Sequence, residues 1–144
     1  MKKMVHALVL IVVAVLITNC DEEEIGGRCR YIEYPGSAVI VSVEEDTSQV
    51  RACENAAVIL FTFQPNDSSA SSNYLVPNWP DSNRDFLVGS GCTPPLNWAI
   101  SQGLLVGSEH NCARMEITSG TCAPVTFKFP EIDYSSWADS CEAR

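Results

Sequence analysis

Residues 112–129, CARMEITSGTCAPVTFKF, decide the fold, because apolar and polar side chains alternate along them on both sides of a Ser-Gly pair. Before the pair, one face carries three apolar residues and the other three polar ones: Ala113, Met115 and Ile117 against Arg114, Glu116 and Thr118. After it, Val125, Phe127 and Phe129 oppose Thr126 and Lys128. A period of two is typical of antiparallel strands, and Ser119-Gly120 suits a tight turn. The stretch therefore predicts a β-hairpin.

The two cysteines of this hairpin are predicted not to bond to each other. A two-residue turn at Ser119-Gly120 places Cys122 opposite Ile117 and Cys112 opposite Phe127. The two cysteines are then about five strand steps apart, roughly 17 Å. Bridged Cα atoms lie only ~4.4–6.8 Å apart.

Three more strands are predicted upstream. Residues 30–34 and 37–43 have strand composition on either side of Pro35-Gly36, which indicates one long, kinked strand. Residues 56–63 are apolar on both faces, as in a central strand. Residues 86–88 predict a short third strand.

One helix is predicted between the third strand and the hairpin. Thr93 is a candidate N-cap, and Pro94-Pro95 follow it at positions where a helix tolerates proline. Gly103 is expected to end the helix. Its predicted apolar face consists of Leu96, Ala99 and Ile100.

The order of three strands, a helix and two strands is similar to that of the oligonucleotide/oligosaccharide-binding (OB) barrel, over about residues 30–130. The resemblance implies a small five-stranded antiparallel barrel that binds ligands on strands two and three and their flanking loops. A sandwich with one short helix gives almost the same order and stays open.

The irregular region 64–85 contains an apolar island, NYLVPNWP, at residues 73–80. Long connections of this kind are often functional, so Tyr74 and Trp79 are candidate ligand contacts. The alternative is that their rings cover one end of the core, since aromatic side chains carry large burial energies.

The N-terminus carries an export signal. Lys2 and Lys3 precede the apolar run 4–17, Cys20 follows after Thr18 and Asn19, and four acidic residues come directly after Cys20. This resembles a bacterial lipoprotein signal, which implies fatty acylation of Cys20 and cleavage before it. The run is too short for the ~20 residues of a spanning helix. An ordinary signal peptide, or a cytoplasmic protein with a buried N-terminal strand, are the alternatives.

This interpretation divides the chain into a signal peptide (1–19), an acidic flexible tether (20–28) and one β-rich domain (29–144). It implies a lipid anchor in the outer membrane, on the periplasmic or the surface face.

The cysteine count agrees with export. Of seven cysteines, assignment of Cys20 to lipid leaves an even set of disulfide candidates: Cys29, Cys53, Cys92, Cys112, Cys122 and Cys141. Six cysteines allow 15 connectivities. Cys141 is expected to attach the C-terminal tail, in which Ile132 and Trp137 are predicted packing residues. The absence of a C-x-x-C pair argues against zinc and thioredoxin-like redox sites.

The acidic net charge limits the classes of partner that the protein is expected to bind. Loss of Lys2 and Lys3 with the signal leaves 7 of the 9 basic residues against 18 acidic ones, a formal charge of −11. Nucleic acid is therefore a poor partner, because its binding needs many Lys and Arg side chains. A protein, peptide or glycan ligand is expected, and membrane contact only through the lipid.

No motif predicts catalysis, a metal site or a cofactor. His110 is the one histidine outside the signal, and no nucleophile-elbow motif accompanies it. No calcium-loop pattern is present. The sequence therefore predicts a non-catalytic binding or structural module on the envelope. An inhibitor of a secreted hydrolase is the first alternative, and a small hydrolase the second.

Overall fold

The computed structural model describes residues 29–48, 51, 53–67, 81–89 and 91–141. Five strands lie within these residues: β1 (Arg30–Glu45), β2 (Ala57–Pro65), β3 (Arg84–Asp85), β4 (Glu109–Ser119) and β5 (Val125–Lys128). One α-helix, α1 (Leu96–Ser101), lies between β3 and β4, and a 3₁₀ turn (Ala138–Ser140) follows the last strand.

The strands form one antiparallel sheet in the order β3-β2-β1-β4-β5. The sheet curls into a half-barrel, so that Phe61 of β2 meets Phe127 of β5 with 5.0 Å between ring centroids. The expectation of a mainly β fold with five antiparallel strands and one short helix is confirmed. Because the described strands make a single sheet, the fold is the barrel-like alternative and not the sandwich.

The first strand is continuous and pairs with two neighbours, as the prediction of one long strand requires. Its first part pairs with β4 from Arg30 to Val39, and its second part with β2 from Gly36 to Glu45. The irregularity in its pairing with β2 lies between Ile40 and Ser42, not at the predicted kink at Pro35-Gly36.

Gly36 allows the closest approach between β1 and its neighbour. A Cβ atom there would lie 2.2 Å from the carbonyl oxygen of Gln64 and 2.7 Å from the Phe63 ring. Both distances are below van der Waals contact, so any side chain at position 36 would force β2 away from β1.

The core fills the concave side of the sheet. Phe61, Phe86 and Phe129 form its centre, with edge-to-face contacts of 5.0–5.2 Å between the ring of Phe129 and the other two. The core is closed by Trp98 and Ala99 of α1. In the C-terminal tail, Ile132 is buried and Trp137 packs against the core, as predicted.

Three local predictions were wrong by a few residues. The third strand is Arg84–Asp85 instead of 86–88, because Phe86 turns into the core. Ile100 is 51% exposed, and Trp98 takes the buried helix position instead. The α1 N-cap is Pro95, with no side-chain cap.

Thr93 has a different partner from the one predicted. Its hydroxyl donates to the carboxylate of Asp46 at 2.7 Å, while the Ser48 amide donates to the other oxygen at 2.8 Å. Hydrogen bonds from Ser48 and Thr93 hold the pKa of Asp46 below its usual value. The buried carboxylate thus attaches the end of β1 to the segment that precedes α1.

The predicted two-residue hairpin turn was also wrong. The Ile117 amide donates to the Pro124 carbonyl at 2.9 Å, so residues 118–123, and not Ser119-Gly120 alone, separate the paired parts of β4 and β5. Arg114, and not Cys112, is therefore paired with Phe127. The longer loop brings Cys122 to Cys29, whose sulfur lies against Gly120, where a Cβ atom would be 2.7 Å away.

Two disulfides staple the domain, Cys29–Cys122 and Cys53–Cys141. Cys112 and Cys122 are not bonded to each other, and Cys141 attaches the tail, both as predicted. Of the six candidates, four form these two bridges, while Cys92 and Cys112 are free thiols. Cys112 belongs to the buried core, whereas Cys92 lies in the turn that pairs with Val88.

Candidate functional site

A cleft of about 440 Å³ opens where the half-barrel fails to close, between β3 and β5. One wall contains Asp85, Phe86 and Leu87, and the other contains Val125, Thr126 and Phe127. The rings of Phe61, Phe129 and Tyr134 form its floor. Its size and its mainly apolar lining are typical of a ligand site.

Tyr134 and Leu87 present the accessible apolar surface of the cleft, since they are 37% and 44% exposed. The Tyr134 ring is stacked on Phe86, with a centroid distance of 6.1 Å and an interplanar angle of 11°. Phe86 and Phe129 beneath it are almost completely buried. A fixed aromatic floor of this kind can bind an apolar group without being rearranged.

The sheet ladder turns main-chain groups of both walls toward the cleft. Because Ile117 donates to Pro124, the hydrogen-bonded pairs of β4 and β5 are those of Thr126 and Lys128. The N–H and C=O groups of Val125 and Phe127 consequently point away from β4. These two residues line the cleft.

The opposite wall follows the same rule. The Phe86 amide donates to the Ile59 carbonyl at 2.8 Å, so Arg84 is the hydrogen-bonded residue of β3. The main-chain groups of Asp85 therefore point away from β2 and toward the cleft, which Asp85 also lines.

A charged cluster lies beside the cleft, on the concave face of the sheet. Arg114 binds both carboxylate oxygens of Asp81, at 2.6 and 2.7 Å, and its Nε lies 2.9 Å from Glu116 Oε1. Arg114 and Glu116 are 4% and 0% exposed. Arg114 and Glu116, which the alternation places opposite the apolar face of Ala113, Met115 and Ile117, are thus inside the half-barrel.

Aromatic rings surround the charged groups. The Arg114 guanidinium lies 5.3 Å from the Tyr34 ring centroid and 5.5 Å from that of Phe63. Arg84 lies 5.6 Å from the centroid of Phe127, which also lines the cleft. Such cation–π contacts stabilise a guanidinium that has lost part of its hydration.

Burial raises the pKa values of two groups near the floor. The pKa of Tyr134 is raised to about 12, by burial and then by the nearby Cys112. Burial alone raises the pKa of the Cys112 thiol to about 12. Both groups stay protonated near neutral pH, so Cys112 is not a thiolate nucleophile there.

His110 stabilises a turn, the Leu105 loop (residues 103–108). Its Nε2 lies 3.2 Å from the Gly103 carbonyl oxygen and 2.9 Å from Ser108 Oγ. Because a carbonyl can only accept, Nε2 carries the hydrogen and donates. The Ser108 hydroxyl itself donates to the Leu105 carbonyl at 2.7 Å. In this arrangement His110 is not the base that activates Ser108.

The Leu105 loop exposes apolar side chains although hydrogen bonds from His110 and Ser108 hold its backbone in place. Leu105 is 50% and Val106 is 65% exposed. The Gly107 amide donates to the Ile40 carbonyl at 2.8 Å, and the Ile40 amide donates to Ser108 at 3.0 Å. The loop is thus attached to β1 and presents a small apolar tip.

The sequence-predicted site residues have separate outcomes. Cys20, Tyr74 and Trp79 lie outside the described residues, so their roles stay predictions. No pattern in the sequence indicates a site at the cleft residues Asp85, Leu87 and Tyr134 or at the buried pair Arg114 and Glu116. Arg114 is the third residue of the deciding stretch, but the alternation alone gives no signal that its charge is buried.

Comparisons with known proteins give no match: no family model, curated protein or solved structure is similar to the chain. Within the described ranges, no cluster of three His, Cys, Asp or Glu side chains could hold a metal ion. No helix in this part of the chain has the length and apolarity needed to cross a membrane.

The charged cluster makes a testable contribution to stability. Arg114→Met leaves the buried Glu116 carboxylate without its arginine, so we expect a loss of about 3–5 kcal/mol in the free energy of unfolding. The double variant Arg114→Met, Glu116→Leu removes both charges and should lose much less. Urea denaturation followed by circular dichroism measures both.

A loss below about 1 kcal/mol in the Arg114→Met variant, the size expected of an exposed pair, would contradict the buried cluster.

Proposed function

We propose that this protein is a lipid-anchored envelope module that binds a ligand in the cleft between β3 and β5 and performs no catalysis. The observation that carries the proposal is the cleft itself, which combines an aromatic floor with two walls formed by the edge strands of the described sheet. Ligand sites are typically concave and mainly apolar, with a few polar groups that orient the ligand.

The proposed localisation rests on the lipoprotein-like signal that ends at Cys20. The disulfides Cys29–Cys122 and Cys53–Cys141 support export, because such bonds persist in oxidising compartments. Attachment to the outer membrane, on the periplasmic or surface face, belongs to this proposal.

The cleft suits a protein, peptide or glycan, while nucleic acid is disfavoured by the formal charge of −11 that 7 basic and 18 acidic residues leave once the signal is removed. The exposed tip of the Leu105 loop favours a second candidate, an inhibitor of a secreted hydrolase. A braced loop with bare apolar side chains can enter an enzyme's binding site with little loss of conformational entropy.

Lipid attachment is tested by labelling cells of a bacterial host with an alkyne analogue of palmitate. The full chain should take up the label and Cys20→Ala should not, because the thioether needs the sulfur. Cys92→Ala, which removes a free thiol of the domain, should label normally. An unlabelled full chain that keeps Met1 by mass spectrometry would refute the lipid anchor.

Ligand binding is tested on arrays of short synthetic peptides and oligosaccharides. Leu87 and Ile32 are both 44% exposed, but only Leu87 lines the cleft. Leu87→Gln should weaken binding at least about tenfold, the effect of leaving one buried leucine contact unmade, and Ile32→Gln should not. Signals that survive Leu87→Gln would place the site elsewhere.

The same arrays separate the two candidate functions. Binding that is lost in Val106→Gln but kept in Leu87→Gln would move the site to the Leu105 loop and favour the inhibitor.

A further inference from the structure

Among the described residues, the two walls of the cleft are the outer edges of one sheet. Both β3 and β5 are antiparallel to strands that are themselves antiparallel to β1, so β3 and β5 run in the same direction. In the described residues they are not hydrogen-bonded to each other, and the ordered sheet ends at them.

Each free edge presents main-chain donors and acceptors that need a partner. Val125 and Phe127 offer two N–H and two C=O groups on one side, and Asp85 offers one of each on the other. Edges that have no strand partner among the described residues, and that line the same apolar cleft, form a template for one more strand. A ligand that contacts the cleft only through its side chains would form no ladder with these main-chain groups.

We infer that the cleft binds an extended peptide segment of a partner protein, which pairs with β5 on one side and with β3 on the other and completes the barrel. This inference rests on the proposed function and specifies its ligand. Recognition by strand addition takes affinity from main-chain hydrogen bonds and selectivity from pockets for alternate side chains.

The lining determines which side chains the segment should carry. Apolar residues at alternate positions would face the floor formed by Tyr134, Phe129 and Phe61, because side chains alternate along a strand. Gly91 and Ala123, which also line the cleft, are small and leave room for a peptide backbone.

Charge complementarity favours a cationic segment. Asp85 is the charged residue among the described residues that line the cleft, and it is exposed. The whole chain carries a net charge of −9. Basic residues that flank the apolar positions would therefore be attracted, and acidic ones repelled.

The probe is the peptide acetyl-Lys-Val-Thr-Val-Thr-Val-Lys-amide, whose valines lie on one face of a strand. A peptide of the same composition with the valines in one block is the control for charge and hydrophobicity. Isothermal titration calorimetry with the full chain should detect the alternating peptide and bind the block peptide at least about tenfold more weakly.

N-methylation of the peptide tests the main-chain pairing. In a strand, the N–H groups of the valines point to one side and those of the threonines to the other. Methylating the set that faces β5 removes two or more hydrogen bonds, so one of the two methylated peptides should lose at least about tenfold in affinity. The other set faces the shorter β3 edge and should lose less.

The outcomes are distinct. Binding that both methylated peptides retain within about twofold would overturn strand addition and leave a side-chain site in the same cleft. Oligosaccharide binding that Leu87→Gln abolishes, with no peptide binding, would also overturn it while keeping the proposed function. Analytical ultracentrifugation could also detect a concentration-dependent dimer. If the Leu87→Gln variant is monomeric under the same conditions, the occupant of the cleft is a second copy of this chain instead. Peptide binding that Leu87→Gln does not affect would refute both proposals.

Discussion

The whole architecture depends on one strand that pairs with two neighbours. β1 uses its first part for β4 and its second part for β2, so the sheet curls about it. Close contact at Gly36, where a Cβ atom would lie 2.2 Å from a β2 carbonyl oxygen, allows this curl. Its consequence is that the last strands on each side, β3 and β5, come to face each other. β3 has only two residues, and within the described part of the chain it does not pair with β5, so a cleft lies between them.

The two ends of the half-barrel are stabilised by different interactions. At one end, aromatic rings and the helix residue Trp98 exclude water, and the Cys53–Cys141 disulfide attaches the tail. At the other end, the ion pairs of Arg114 compensate buried charge, and Cys29–Cys122 attaches the hairpin loop to the start of β1. Buried pairs give little net stability, because desolvation offsets their attraction. Their value here is to fix β4 against the segment that carries Asp81, beside the cleft.

Much of the fold could be predicted from the sequence, because alternation and turn residues are local signals. These local signals indicate the long first strand, the central second strand, the position of the helix, and the strand face formed by Val125, Phe127 and Phe129. The partners of Arg114 could not be predicted, since Asp81 is 33 residues away and no periodicity connects the two. The hairpin register was wrong for a similar reason, because the loop contains Cys122, whose disulfide partner Cys29 is 93 residues away. The cleft is a gap between strands and therefore has no sequence pattern of its own.

The account rests on the claim that the β5 edge is open before a ligand binds. Amide hydrogen exchange, measured by NMR on the ligand-free protein, tests this most directly. The ladder with β4 protects the amides of Thr126 and Lys128, so these should exchange slowly, while those of Val125 and Phe127 should exchange fast. If all four amides exchange equally slowly, β5 is paired on both sides, the barrel is closed, and the cleft cannot accept another strand.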